Sequence, residues 1–226
     1  MTSVLANTAR PELVVVVADR CTDRTLAIAD ELLTETPSVV VEKNSSSWRN
    51  SISENLQFGL SKAIGDALVI VDADITVPPK FLETLLSQLP GYAVVSAIVR
   101  TDPSQGLLNR LVALWELTYA LTPFEDQPRG GARAISIKAL NDVGGFRDVY
   151  AWESDLDNRL RGAGFRVRLD RRVSVLHHRR MTLTRSIAYQ IKAGRARKEL
   201  GVSSVRTLLH SIIRMRPFVI VGYLSQ

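Results

Sequence analysis

Cysteine is nearly missing from this chain: its 226 residues include only Cys21, so no disulfide can close within it, and no Cys/His cluster has zinc-binding spacing. A reducing compartment is permitted by this, not required. Long apolar runs are missing as well. No stretch reaches the roughly 18 residues that cross a bilayer, and the opening, Met1 to Arg10, has no basic segment leading into an apolar one. It therefore does not read as a signal peptide, and a cytoplasmic location is expected. Internal repeats and low-complexity tracts are also lacking. So is any nucleic-acid-binding module or interleaving of aromatic with basic residues, so nucleic acid is not an expected partner.

What is present suits an ordinary globular protein: 46% hydrophobic and 23% charged residues can build one large domain, or a domain with an appendage. Charge is unevenly placed. Residues 151–226 carry 16 Lys and Arg against 5 Asp and Glu, a net +11, whereas residues 1–150 carry a net −5. A basic tail of this kind suits polyanions in general, including anionic lipid and phosphorylated substrates. A solvated basic face explains it equally well.

The stretch with the clearest chemistry is Ala67 to Thr76, an apolar run that stops on Asp72 and Asp74. Four branched aliphatics in succession suit a strand buried on both faces. In α/β sheets, ligands bind beyond the carboxyl ends of strands. Two carboxylates one residue apart at such a point can share a hard divalent cation, which prefers oxygen ligands and leaves positions for phosphates. Asp-Ala-Asp also ends strands merely as a turn former, so spacing alone does not decide.

The remaining order supports an α/β chain. Glu12 to Asp19 reads as a buried strand that also ends on a carboxylate, with Thr22 or Asp23 capping a helix over Thr25 to Leu33. Ser38 to Glu42 is a short strand, and Ile52 to Ile64 a helix with Ile52, Leu56, Leu60 and Ile64 at fourfold spacing. Alternation of strand and helix argues for a mostly parallel central sheet with right-handed crossovers. Pro78-Pro79 opens a helix to Leu89 with Phe81, Leu82 and Leu85 inward, Tyr92 to Arg100 is a strand, and Leu107 to Leu121 is a long amphipathic helix. Gly130 and Gly131 enter a further strand, where a glycine pair permits close approach of backbone to ligand or makes a simple turn. Trp152-Glu153-Ser154-Asp155 begins a helix, Phe165 to Leu169 and Val173 to Leu176 are strand-like, and His177-His178-Arg179-Arg180 follows. Three strands thus end on Asp19, on Asp72 with Asp74, and on His177 with His178.

Five motifs in order carry a resemblance: Asp19-Arg-Cys-Thr-Asp-Arg-Thr25, Gly59 to Asp66 before Val71-Asp-Ala-Asp74, Arg129-Gly-Gly-Ala132, Val143-Gly-Gly-Phe146, and Glu153-Ser-Asp-Leu-Asp-Asn-Arg-Leu-Arg-Gly162. Over roughly Val4 to Arg180 the chain resembles family-2-type glycosyltransferases with the GT-A fold. The resemblance implies a GT-A-like three-layer α/β/α domain over residues 1–180, with a basic helical extension over 181–226. It also implies inverting transfer of a sugar from a nucleoside diphosphate donor, assisted by Mg²⁺ or Mn²⁺. By the same resemblance Asp19 contacts the nucleotide base, Asp72 faces ribose and metal, Asp74 binds metal, and Gly130 and Gly131 line the donor-sugar region. His177, with His178 as its rival, completes the metal site. The base position falls on Glu153 by alignment and on Asp155 by residue type.

Relatives start with a strand and a nucleotide-binding turn ahead of the strand matched by Leu13 to Val17. Here Met1 falls inside the intervening helix, so that first strand is expected to be missing. A non-catalytic homologue that binds nucleotide or carbohydrate is therefore the alternative, followed by a sugar-phosphate nucleotidyltransferase. Arg206 to Tyr223 mixes Leu208, Leu209, Ile212, Ile213, Met215, Phe218, Val219 and Ile220 with arginines, as an interfacial membrane helix does. If it lies on a bilayer, the expected place is the inner membrane face, with a lipid-linked acceptor. Packing against its own domain or a second copy in a homo-oligomer is the equal alternative.

Overall fold

A computed structural model of the protein describes residues 1–117 and 131–225. In chain order these form α1 (Thr2–Leu5), β1 (Val14–Asp19), α2 (Thr25–Leu32), β2 (Ser38–Lys43), α3 (Ser51–Lys62), β3 (Ala67–Val71), β4 (Ile75–Thr76) and α4 (Phe81–Leu86). There follow β5 (Val94–Thr101), α5 (Leu107–Leu117), β6 (Ala132–Ser136), α6 (Ile137–Asp142), α7 (Trp152–Gly162), β7 (Val167–His177), α8 (Leu183–Glu199), α9 (Ser204–Ile213) and α10 (Phe218–Leu224). Gly130 and the residues expected to extend α5 to Leu121 lie outside the described residues.

The strands fall into two sheets: β1 pairs with β2, and five strands run in the order β3-β6-β5-β7-β4. No ladder joins β1 to β3 among the described residues. The expectation of a mostly parallel sheet holds for direction in β3, β5 and β7, but not for pairing. β6 lies antiparallel between β3 and β5, and β4 is antiparallel to β7, so only β1 with β2 and β5 with β7 are parallel neighbours. The cause is the entry point of β6. Asp72 N donates to Gly131 O at 2.9 Å, so the chain enters β6 at the edge where β3 leaves and must run back along it.

Both faces of the larger sheet are covered, which explains its unbroken apolar runs. Side chains alternate between the faces. Val95, Ala97, Ala132 and Ala134 face α4, where Phe81, Leu82 and Leu85 are buried. Val94 and Ile135 face the opposite way, against Leu140 of α6 and Trp152, Leu156 and Leu160 of α7. The two strand-like pieces expected around residue 170 are one strand, β7, with a register shift: Ala97 is opposite Asp170 and Ile98 opposite Ser174. Asp170 is buried in the bulge, paired at 2.9 Å to Arg172.

Local caps follow the sequence. Asp23 Oδ1 accepts from Thr25 N at 3.0 Å ahead of α2, and the Asn50 side chain accepts from Ile52 N at the start of α3. The C-terminal stretch read as one interfacial segment is two helices, broken over Arg214–Pro217, with Met215 at φ 51. α10 packs backbone to backbone on α8. A Cβ on Gly194 would lie 2.0 Å from Val219 O, and one on Gly222 would lie 2.0 Å from Ile191 O. Glycine is required at both contacts.

Candidate functional site at the strand ends

The sheet topology gathers one end of β3, β5, β6 and β7. β3 delivers Asp72, β6 begins just after Gly131, and β7 ends on His177, which is opposite Ile75 of β4 and Thr101 of β5. Gly131 is pressed against Asp72. A Cβ there would meet Asp72 Oδ2 at 2.8 Å and Ile75 Cδ1 at 2.9 Å, so Gly131→Ala must displace the carboxylate. That substitution is expected to leave the fold intact and to reduce donor affinity about tenfold or more, since misplacing reacting groups by about an ångström can weaken catalysis a hundredfold. Isothermal titration with a nucleoside-diphosphate sugar measures the loss of affinity.

Asp74 is the most heavily engaged carboxylate of the group. Arg179 Nη2 and Nε each lie 3.0 Å from its Oδ2, and His177 Nε2 lies 3.0 Å from its Oδ1. The His177 ring first, and Arg179 with it, hold the Asp74 pKa down to about 2, against a desolvation that works the other way. His177 Nε2 is buried, lacks an aligned hydrogen bond and lies 3.0 Å from Asp74 Oδ1. Two ligands about 2.1 Å from one divalent ion and at right angles lie about 3.0 Å apart. A carboxylate oxygen and an imidazole nitrogen at this spacing therefore fit adjacent positions on Mn²⁺ or Mg²⁺. Among the described residues no three metal-ligating side chains converge into a complete cage.

Asp72 is reached by solvent, yet the protein around it makes ionisation costlier. Its pKa is raised by desolvation foremost and by the Asp74 charge next, with His177 and Arg179 opposing. His178 is engaged elsewhere. Its Nδ1 lies 2.8 Å from Asp102 Oδ2 and its Nε2 2.7 Å from Thr76 Oγ1, which leaves no ring nitrogen for a metal. Of the two histidines named as rivals, His177 is the one beside Asp74 and His178 is turned to Asp102 and Thr76.

Two acids start α7, and they point to different surroundings. Asp155 is locked to Arg159 at 2.8 Å, and Arg159 also donates to the carbonyls of Val143 and Gly145. Among the described residues Glu153 has no such ion pair. Burial raises its pKa most, Arg133 pulls it down, and the charges of Asp157 and Asp72 push it up. Glu153 is therefore within electrostatic reach of the strand-end group.

Beneath it, fully buried Arg133 of β6 pairs with Asp157 of α7 at 3.1 Å and lies 5.2 Å over the Trp152 ring. Removing one partner strands a buried charge. Asp157→Ala is expected to cost about 3–5 kcal/mol, read as a lower urea midpoint at unchanged slope.

Asp19 stands apart, at the end of the two-stranded sheet. Burial works against its charge, but Arg20, Asn55, Lys43 and Ser51 together hold its pKa below the usual range. Its contacts are Arg20 at 2.9 Å, Asn55 at 3.1 Å and Lys43 at 3.7 Å. None of these belongs to the Asp74 group. Two participants went unassigned in the sequence: Arg179, although it directly follows the histidine pair, and Asp102, whose pairing with His178 spans 76 positions and leaves no local signal.

Comparison with known proteins bears on the fold and the family. The mannosyltransferase PcManGT from Pyrobaculum calidifontis, solved in complex with GDP-Man and Mn²⁺, matches with a TM-score of 0.66 at 19% identity, covering 99% of this chain and 68% of that one. A mycobacterial protein matches with a TM-score of 0.54 at 20% identity, over 84% of this chain and 64% of its own. These identities speak for the fold, which is GT-A-like. No curated protein matches the chain. The model of the family described as glycosyl transferase family 2 matches residues 1–151, and the chain belongs to that family of glycosyltransferases.

Proposed function

We propose that the chain transfers a sugar from a nucleoside diphosphate donor to a hydroxyl acceptor, with inversion and with a divalent metal. The observation that carries this reading is the cluster of Asp74, His177 and Arg179 at the strand ends, beside Asp72 and Gly131. Asp74 and His177 would hold Mg²⁺ or Mn²⁺ as adjacent ligands, with Asp72 facing the ribose, and a two-ligand set suits an ion shared with a diphosphate. When bound, the ion would offset charge on the departing diphosphate. Arg179 neutralises Asp74, and its forked guanidinium would also suit a diphosphate oxygen.

Glu153 is the general base of this reading. It takes the proton of the acceptor hydroxyl as that oxygen bonds to the anomeric carbon, while the bond to the diphosphate oxygen breaks on the opposite face. Its raised pKa suits a base working near neutral pH, and the engagement of Asp155 with Arg159 favours Glu153 over it. Asp19 reads as the contact to the nucleotide base, and Gly130 and Gly131 as the lining of the sugar site. Residues 1–180 carry this chemistry and 181–226 form the extension.

Binding without transfer is the second reading, favoured by the break between β1 and β3. One experiment separates the two. The fold neighbour was solved with GDP-Man and Mn²⁺, so GDP-, UDP- and dTDP-sugars are compared, each with and without Mn²⁺, for thermal stabilisation and for slow donor hydrolysis. Stabilisation with hydrolysis supports transfer, and stabilisation alone supports binding. Absence of both with every donor defeats both readings.

A further inference from the structure

Helix α9 is built inside out. Its buried residues are the polar Thr207 and Ser211, whereas Val205, Leu208, Leu209, Ile212 and Ile213 are 48–68% exposed. α5 repeats the inversion: its buried residue is Asn109, while Leu107, Leu111, Leu114 and Leu117 are 55–73% exposed. A surface helix ordinarily turns its apolar side to the core. Here the polar side is fastened inward by hydrogen bonds, so neither helix can roll to hide its leucines. For α9 the tie is Arg197 of α8, which donates to Thr207 Oγ1; for α5 it is Asn109, which donates to the carbonyls of Asp102 and Arg179.

The connection that follows α9 reaches α5 at Arg216, whose guanidinium lies 4.9 Å over the Trp115 ring of α5 and 5.8 Å over the Tyr189 ring of α8. From Leu200 to Ser225 there is no Asp or Glu; Arg206 is exposed and Arg216 half-buried, while Arg214 is buried. An apolar face rimmed by cations and free of acids has the chemistry of an anionic lipid interface. A second copy of the chain fits less well, because it would bring the +11 half of one molecule against its like. No described helix is long and apolar enough to cross a membrane, so the contact is with the surface layer.

We propose that α9, with α5 beside it, seats the protein on the interface of a bilayer rich in anionic lipid. Asn109 ties α5 to the backbone of Arg179, whose side chain holds Asp74, so the seated face adjoins the strand-end site. The acceptor is then a hydroxyl compound carried in that bilayer; this clause alone rests on the transferase reading.

The test is flotation of the full chain with phosphatidylcholine vesicles and with vesicles containing about a quarter phosphatidylglycerol. The expected result is at least tenfold stronger partition onto the anionic vesicles, weakened by salt. Leu208→Glu/Ile212→Glu should abolish it, and Leu111→Glu/Leu114→Glu should weaken it severalfold. All four positions are exposed, so thermal midpoints should stay within a few degrees of the parent, and donor-induced stabilisation without vesicles should persist. Partition that ignores lipid charge, or that survives both double substitutions, overturns the proposal. So does a concentration-dependent dimer that Leu208→Glu/Ile212→Glu dissolves. Failure of donor binding with flotation intact would remove only the acceptor clause.

Discussion

Asp74→Ala is expected to abolish the Mn²⁺-dependent part of donor binding and to lower transfer about a thousandfold. Metal assistance is worth several kcal/mol of charge stabilisation, and each 1.36 kcal/mol is tenfold in rate. The carboxylate touches both His177 and Arg179, so its removal leaves two potential cations facing each other where a metal should enter. The fold should survive, because Asp74 is not part of either apolar cluster. Donor titration with and without Mn²⁺ reads the effect, and metal-dependent binding retained by the variant would refute the site. Acid should not mimic this substitution. The pKa of Asp74 is depressed to about 2, so its contribution to stability, complete above the ordinary carboxylate range, is lost only as pH falls toward that value.

Glu153→Gln should separate chemistry from binding. A positioned general base contributes about 10²- to 10⁴-fold, so kcat should fall by that order while donor stabilisation with Mn²⁺ remains. In the parent enzyme, activity should decline as pH falls through a value above the ordinary 4.5 of a glutamate, because burial foremost raises the Glu153 pKa. The sign for stability is opposite to that for activity. An acid whose pKa is raised by folding is held ionised at neutral pH at the expense of the fold, and that penalty fades as pH falls. Gln removes the penalty, so the variant should melt no lower than the parent at pH 7, a trade of function against stability. Asp155→Asn should behave the other way, retaining transfer but lowering the thermal midpoint, because it releases Arg159 from a 2.8 Å ion pair at the entrance of α7. A kcat loss confined to Asp155→Asn would reverse the assignment.

Much of this was legible in the residues. The apolar run ending on Asp72 and Asp74, the glycine before β6, and the histidines closing β7 are local signals, and the sheet brings them together because strand ends share an edge. The choice between His177 and His178 was not legible, since it depends on which face of β7 meets Asp74. Nor was the choice between Glu153 and Asp155. They differ in partners on other elements, Arg159 for one and the Arg133, Asp157 and Asp72 charges for the other. Which side of the amphipathic α5 faces inward was not legible for a related reason. Periodicity identifies one side of a helix as apolar, but the hydrogen bonds of Asn109 decide which side faces in.

The unjoined edges of β1 and β3 bear on how the molecule breathes. Backbone ladders make neighbouring strands open together, and here the ladder stops between the two sheets. The β1–α2–β2 unit is fastened to α3 by side chains: Asn55 on Asp19, Arg20 on Ser51 and Lys43 on Glu54. Such a unit is a separate cooperative block, with amide protons that exchange through a smaller opening than those of β5 and β6. Asp19 rides on that block while Asp74 rides on the other. A nucleotide that gripped both would act as a clasp across the seam, slowing exchange along β1 and β2 more than anywhere else.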